Sequence, residues 1–449
     1  MPFARRSLVT ILLAALVVTG LLVARDGRDD GAQEDVRGAV AVEVQRSRIV
    51  GESRLALGVT HTQYSLDTWG DRASVGRAKA LLRRVGRLQN QHIYGWGAVN
   101  PQPRPGVFDW KRLDARMALM RSMGATPVIT LCCAPDWMTR LGTPTSRYPY
   151  LPPTAEHVDD FARLAAAVAR RYPDVRHFMV WNELKGFYDD RLGRWDVEAY
   201  TRLYNAVYVA LKAVDPGLQV GGPYLVLGGT GSGDLGRRGR ETAQPITPGD
   251  RRVLEYWLAH AAGADFMVID RSVHPSHDAN RYSRDEYLHL TRWFEEVTRE
   301  VRGLMRLPVW FAEDYFRDDP DWRFQAAGLA SMLAGEVRGG AAVSLRWGPQ
   351  GTSDAFARGN TQSLFSDTQR PDGGRPFPAF FVYETFARRF GPGTPLVRAT
   401  SAAPARLGVL ASPDVTLLIN RRPTRLEVSL DGRSLRLAPY EVRAVPVAA

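Results

Sequence analysis

Short apolar runs alternate with amphipathic stretches over roughly 300 residues of this chain, which is the rhythm of repeated βα units. Eight runs read as strands, at residues 55–60, 85–89, 127–131, 177–181, 218–221, 266–270, 308–311 and 341–345. Several are apolar throughout, as strands covered on both faces of a parallel sheet must be. Between them, apolar positions recur every three to four residues. Residues 111–123 keep Leu113, Met117 and Met120 on one face, and residues 155–171 gather Val158, Phe161, Leu164, Ala165 and Val168 behind a capping Thr154. Residues 197–214 carry Tyr200, Leu203, Tyr204, Val207 and Leu211 and stop at Asp215-Pro216-Gly217. Capping-box spacing at Ser283-Arg284-Asp285-Glu286 opens another helix. Residues 323–337 and 377–390 read as further helices.

Eight such units predict an α/β fold, a (β/α)8 TIM barrel. Two polar stretches interrupt the rhythm, at 228–249 after the fifth strand and at 348–375 after the eighth. Loops on that side of a barrel build its site, so either stretch is a candidate to shape a cleft. After the break at Gly391-Pro392-Gly393 the runs become short and are separated by turn signals. That predicts a small C-terminal all-β module over 391–449, to which residues 39–45 could add a strand. The barrel is expected over 35–390, and residues 1–34 are read as an N-terminal signal or anchor segment with a linker.

The N-terminal reading rests on Arg5 and Arg6 ahead of an apolar run at 8–24, followed by the charged stretch 25–34. The run is shorter than the roughly 20 residues of a membrane span, so a cleaved signal and a retained tether both fit. Either reading puts the folded part outside the cytoplasm, secreted or in the cell envelope. With 449 residues, 45% of them hydrophobic, the chain can bury a large core. Its net charge of +11 is carried almost wholly by arginine, since the lysines are only Lys79, Lys111, Lys185 and Lys212. No basic run interleaved with aromatics occurs, which argues against nucleic acid as a partner. Cys132 and Cys133 are neighbours on one predicted strand, so no disulfide is expected from them, and two cysteines do not make a zinc cage. No metal or cofactor is expected.

The chemistry is concentrated at two strand ends. Val180-Trp181-Asn182-Glu183 ends the fourth strand in an amide and a carboxylate, and Val309-Trp310-Phe311-Ala312-Glu313 ends the seventh in another carboxylate. A barrel presents functional groups at the C-terminal ends of its strands. The two glutamates are 130 residues apart, close to three βα repeats plus the insertion at 228–249. They can therefore face each other across the barrel mouth. Retaining glycosidases need two carboxyls about 5–5.5 Å apart, one as nucleophile and one as acid and then base.

With these motifs the chain resembles clan A of the glycoside hydrolases, in which Asn-Glu ends strand four and Glu ends strand seven. Within that clan it is most similar to family 39, the β-xylosidases and related exopolysaccharide endo-glycosidases. Gly106-Val107-Phe108-Asp109-Trp110, Ala134-Pro135-Asp136-Trp137 and Arg375-Pro376-Phe377-Pro378 carry the same resemblance. It implies that Glu183 is the acid/base, Glu313 the nucleophile and Asn182 the donor to the sugar 2-hydroxyl. It also implies that Trp347, after the eighth strand, is the platform under the reacting sugar. Trp137, Trp96, Tyr224 and Tyr315 lie at other strand ends as candidate stacking surfaces, and His61, Gln63, His92 and His274 as candidate hydroxyl ligands. Where the family shows His-x-Tyr after strand six, this chain has His274-Pro275-Ser276, so the sugar is left open.

The expected activity is hydrolysis of a β-linked poly- or oligosaccharide through a glycosyl-enzyme intermediate. The alternatives are a non-catalytic carbohydrate-binding barrel and a cell-envelope interaction protein. Retention of both glutamates favours the enzyme.

Overall fold

The computed structural model describes residues 38–62, 66, 70–140, 150–228, 245–273, 282–316, 319–351 and 363–447. The apolar run 8–24, the linker 25–34, Gln63, His274, and most of the insertion 228–249 lie outside them, as does part of 348–375. Eight parallel strands close a barrel: β2 Ala56–Thr60, β3 Leu88–His92, β4 Thr126–Leu131, β5 His177–Val180, β8 Gln219–Val226, β9 Phe266–Ser272, β10 Val309–Tyr315 and β11 Val343–Trp347, the last pairing back to β2. The (β/α)8 barrel expected from the pattern is therefore present. Around it lie α1 Arg72–Val85, α2 Lys111–Arg121, α3 Val158–Arg171, α4 Val197–Val214, α5 Pro248–His260, α6 Arg284–Leu290, α7 Trp293–Leu304, α8 Trp322–Gly339 and α9 Pro378–Arg389. Inside the barrel Val128, Met179, Phe266, Val268, Trp310, Val343 and Leu345 form a dry plug below the mouth.

Local chemistry sets the boundaries. Thr247 and Asp250 cap α5 reciprocally, as Ser283 and Glu286 cap α6, which satisfies backbone N–H groups left over at each start. The second strand falls at 88–92, three residues later than its apolar pattern suggests, because Val85 is the buried end of α1. Leu-Gln-Asn-Gln-His is mostly polar yet buried, and its three amides find partners on neighbouring elements. Asn90 Nδ2 donates to Thr60 Oγ1 at 3.1 Å and Thr130 Oγ1 donates to Asn90 Oδ1 at 2.9 Å. Gly58 packs tightly here, since a Cβ on it would lie 2.3 Å from the Leu88 carbonyl oxygen.

Two irregularities aim side chains at the mouth. The β9–β10 register shifts between Phe311 and Glu313, and the β8–β9 register between Pro223 and Leu225. An extra residue in a strand reverses the inside–outside alternation beyond it. So Ala312 lines the interior and Glu313 turns inward as well, while Asp314 faces the helices. Tyr224 is likewise turned inward.

The C-terminal β-module contains β12 Pro395–Ser401, β13 Leu407–Ala411, β14 Val415–Asn420, β15 Leu426–Leu430, β16 Arg433–Leu437 and β17 Val442–Pro446. The strand β1 Val40–Glu52, which precedes the barrel in sequence, lies between β12 and β15 in a four-stranded sheet of this module. β13, β14 and β17 make the second sheet, and Leu418, Leu407, Val428 and Val40 meet between the two.

One expectation is corrected. Cys132 and Cys133 form a disulfide, and the peptide bond joining them is cis, with Cα atoms 2.9 Å apart. Alternation along a strand argues against pairing of neighbours only when the peptide is trans, and this pair lies just past the end of β4.

Candidate active site

The acid arm is the turn that follows β5. Trp181, Glu183 and Leu184 all have left-handed backbone, with φ of 70°, 51° and 49°. Each such non-glycine residue costs about 1–3 kcal/mol and persists only where its surroundings hold it. The Trp181 indole does so, buried against Phe161 and Phe187 and donating through Nε1 to the Lys185 carbonyl at 2.8 Å. Tyr200 donates to the Val180 carbonyl at 3.0 Å from α4. The turn raises Glu183 into the mouth, where its side chain keeps 12% exposure and pairs with the Lys185 ammonium. Lys185 also lies over the rings of Tyr150 and Trp96, 5.2 and 5.7 Å from their centroids. Burial works against its charge, but Glu183 and then Glu313 offset this and hold it above the usual lysine range.

The opposing arm is the bulged end of β10. Glu313 is buried, and Tyr224 donates to its Oε1 at 3.1 Å. Its own backbone N–H donates to Asp270 Oδ1 at 2.6 Å. Carboxyl oxygens of Glu183, Asp270 and Glu313 all lie within 4.8 Å of one another. Burial first, and then the charge of Glu183, push the Glu313 carboxyl up to about 8, against the pull of Lys185 and the Tyr224 hydroxyl. Asp270 is pushed well above the usual carboxylate range by burial and then by the charges of Glu313 and Glu183. Asp270 and Glu313 thus both favour their protonated forms, as buried carboxyls beside like charges do.

The remaining expected site residues divide into three groups. Asn182, His92 and Trp347 converge at the mouth. The Asn182 amide and the His92 ring, both fully buried, stand against each other, and neither has a further hydrogen-bond partner among the described residues. Burial first, with help from Lys185, lowers His92 to about 3, so its ring is neutral. Trp347 meets His92 and Trp96 edge-on, at centroid distances of 6.4 and 6.2 Å. Tyr224 is fully buried, and its hydroxyl is given to Glu313.

His61 and Trp137 are engaged elsewhere. His61 faces away from the barrel interior and bonds Gln89 at 3.0 Å, in a buried layer that includes Arg116. Trp137 donates to the Gln102 carbonyl at 2.9 Å and packs on His157. Gln63 and His274 lie outside the described residues, as does the side chain of Tyr315. Trp96, a candidate stacking surface from the sequence, is at the mouth, and Asp270 and Tyr150 join the site without having been singled out as its members by motif.

Facing glutamates at the mouth of an eight-stranded parallel barrel are an arrangement that suits a retaining glycoside hydrolase. The family described as Glycosyl hydrolases family 39 matches residues 99–229, a span that includes Asn182 and Glu183, so the resemblance to that family holds there. Among curated proteins none matches the chain by sequence. Solved structures similar to it include SrfJ from Salmonella typhimurium, with 13% identity, TM-score 0.64, and coverage of 93% of this chain and 94% of that one. A monomeric beta-xylosidase from Caulobacter crescentus has 18% identity and TM-score 0.56, covering 85% and 77%. A family 39 glycoside hydrolase from Bacteroides cellulosilyticus has 16% identity and TM-score 0.58, covering 88% and 79%. At these identities the likeness is one of fold.

Proposed function

We propose that the protein cleaves a β-linked poly- or oligosaccharide by double displacement, with Glu313 as nucleophile and Glu183 as acid/base. The observation that carries this reading is the approach of their carboxyl oxygens to within 4.8 Å, a spacing that suits direct attack on the anomeric carbon and leaves little room for an intervening water. In the first step a Glu313 oxygen bonds to that carbon while the glycosidic oxygen departs with the proton of Glu183. In the second, Glu183 takes a proton from water, the water oxygen bonds to the anomeric carbon, and Glu313 leaves as carboxylate.

Tyr224 and Lys185 favour the ionised form of Glu313. The Asn182 amide, with no further partner than the His92 ring, is available to a sugar hydroxyl, and Trp347 with Trp96 and His92 supplies apolar faces for a pyranose ring. A buried polar atom left unsatisfied costs about 1–3 kcal/mol, a cost that a substrate hydroxyl would relieve.

The same proposal includes export, on the basis of Arg5, Arg6 and the apolar run 8–24. Among the described residues no helix is long and apolar enough to cross a membrane.

Incubation with a panel of 2-deoxy-2-fluoro glycosides, followed by intact mass and peptide mapping, tests the reading. A covalent adduct on Glu313 is expected, absent in Glu313→Ala, and it would name an accepted sugar. An adduct on another residue, or inverted product from a natural substrate, would refute the double displacement with these roles.

A further inference from the structure

The acid role of Glu183 meets an obstacle on its own arm. Lys185 pairs with its carboxylate, and a neighbouring cation favours the ionised form, whereas the first step needs a protonated acid. Asp270 stands on the other side. It is fully buried, its Oδ1 accepts the Glu313 N–H at 2.6 Å, and no donor reaches its Oδ2. What lies within reach of that carboxyl are the oxygens of Glu183 and Glu313. Facing carboxylate oxygens in a buried site repel unless one of them carries a proton.

We infer that Asp270 and Glu183 share one proton as a dyad, and that Asp270 is the positioning residue that keeps the acid/base loaded in spite of Lys185. The inference rests on the proposed roles of Glu183 and Glu313. Every charged or titratable group around Asp270 bears on it. Glu313 on β10 and Glu183 beyond β5 present like charge, and Lys185 is a cation already committed to Glu183. The Tyr224 hydroxyl on β8 is given to Glu313, and Arg271, next along β9, faces outward onto the Trp293 ring at 4.4 Å. Among the described residues no cation is directed at Asp270, and burial together with the two glutamates favours its protonated form. That proton can bridge to Glu183 while the other oxygen holds the backbone of Glu313. When the shared proton passes through Glu183 to the glycosidic oxygen, the pair is left as two carboxylates with Lys185 beside Glu183, and it regains a proton when Glu183 takes one from water in the second step.

Two like carboxyls that share a proton lose the second one late, as in the aspartic-protease dyad. Asp270→Asn keeps the shape and an acceptor for the Glu313 N–H but removes the like charge. The alkaline limb of kcat/KM, measured on a glycoside with a poor leaving group, should then move to lower pH by about one unit or more. One unit is a tenfold loss on the alkaline side relative to the variant's own plateau. A uniform fall at every pH with an unmoved limb would mean that Asp270 is merely structural, and the inference would be overturned. Infrared difference spectra of the free protein at neutral pH give a readout independent of turnover. Asp270→Asn should remove one protonated-carboxyl band, and Glu183→Gln should weaken the same band from the other side of the pair, so either variant decides if the other fails to fold. An unchanged band in both would also overturn the sharing. Loss of the band as expected, with no glycoside turned over by the unmodified protein, would instead sink the glycosidase reading and leave the shared proton standing.

Discussion

Glu313 and Asp314 are consecutive residues on β10, yet each belongs to a different buried carboxyl cluster. Glu313 faces the barrel mouth with Glu183 and Asp270. Asp314 faces the helix layer, where it accepts from the Ser344 hydroxyl and pairs with Arg346 at 3.2 Å, both partners being almost wholly buried. Glu336 of α8 lies in the same layer, with its carboxyl pushed well above the usual range by burial and then by the charge of Asp314. Both clusters therefore hold protons, and burial or a raised carboxyl does not by itself identify the site. The difference is in access, since unsatisfied buried oxygens occur in both, at Asp270 in the inner cluster and at Glu336 in the outer. The inner cluster keeps Glu183 partly exposed at the mouth, whereas Asp314 and Glu336 are buried with Arg346 and Ser344 behind the strand.

The largest effect should come from the inner cluster. Glu313→Ala removes the nucleophile and should abolish turnover. Glu183→Ala should cost about 10²–10⁴-fold on poor leaving groups. It should cost much less on activated aryl glycosides, and added azide should restore rate to this variant alone. Equal and unrescued losses in both would break the assignment of roles.

The outer cluster should respond in stability. Arg346→Met leaves Asp314 buried without its cation, which typically costs about 3–5 kcal/mol. Urea unfolding at pH 7 should show the loss, while the folded fraction should still take a fluoro-sugar label on Glu313. A variant of wild-type stability that no longer labels would erase the distinction between the two clusters.

Glu336→Gln should give the smallest change, visible mainly as a slope. A carboxyl raised above its unfolded value contributes most at low pH, and stability falls as pH rises from about 4.5 towards its folded value. For one proton that slope is about 1.4 kcal/mol per pH unit. The glutamine variant lacks this contribution and should gain on the parent as pH increases. Parallel urea midpoints for the two proteins between pH 5 and 9 would place the proton elsewhere.

Much of the barrel was legible because a parallel strand covered on both faces is apolar, and the runs at 177–181 and 308–311 led directly to Glu183 and Glu313. The second strand was less legible, since its buried residues are a histidine and amides that satisfy neighbours distant in sequence. Strict alternation would also have turned Glu313 and Tyr224 outward, and only the bulges in β10 and β8 explain why they point in. The same alternation, left uninterrupted between Thr60 and His61, could have flagged His61 as facing the helices. Asp270 was hidden because a carboxylate near a strand end looks like any polar terminus until the fold brings it beside two others. Cys132 and Cys133 were misread because a trans peptide was assumed between them.

The placement of β1 bears on how the chain can be shortened. The module near the C-terminus borrows a strand from residues 40–52, and that strand pairs with β12 on one side and β15 on the other. A protein begun just before β2 would leave both neighbours with open hydrogen-bonding edges, the kind of surface on which β proteins aggregate. One cut just after α9 would strand β1 as an unpaired ribbon on an otherwise finished barrel. The barrel and its module thus cannot be separated by a single scission, and any working fragment has to start ahead of Val40.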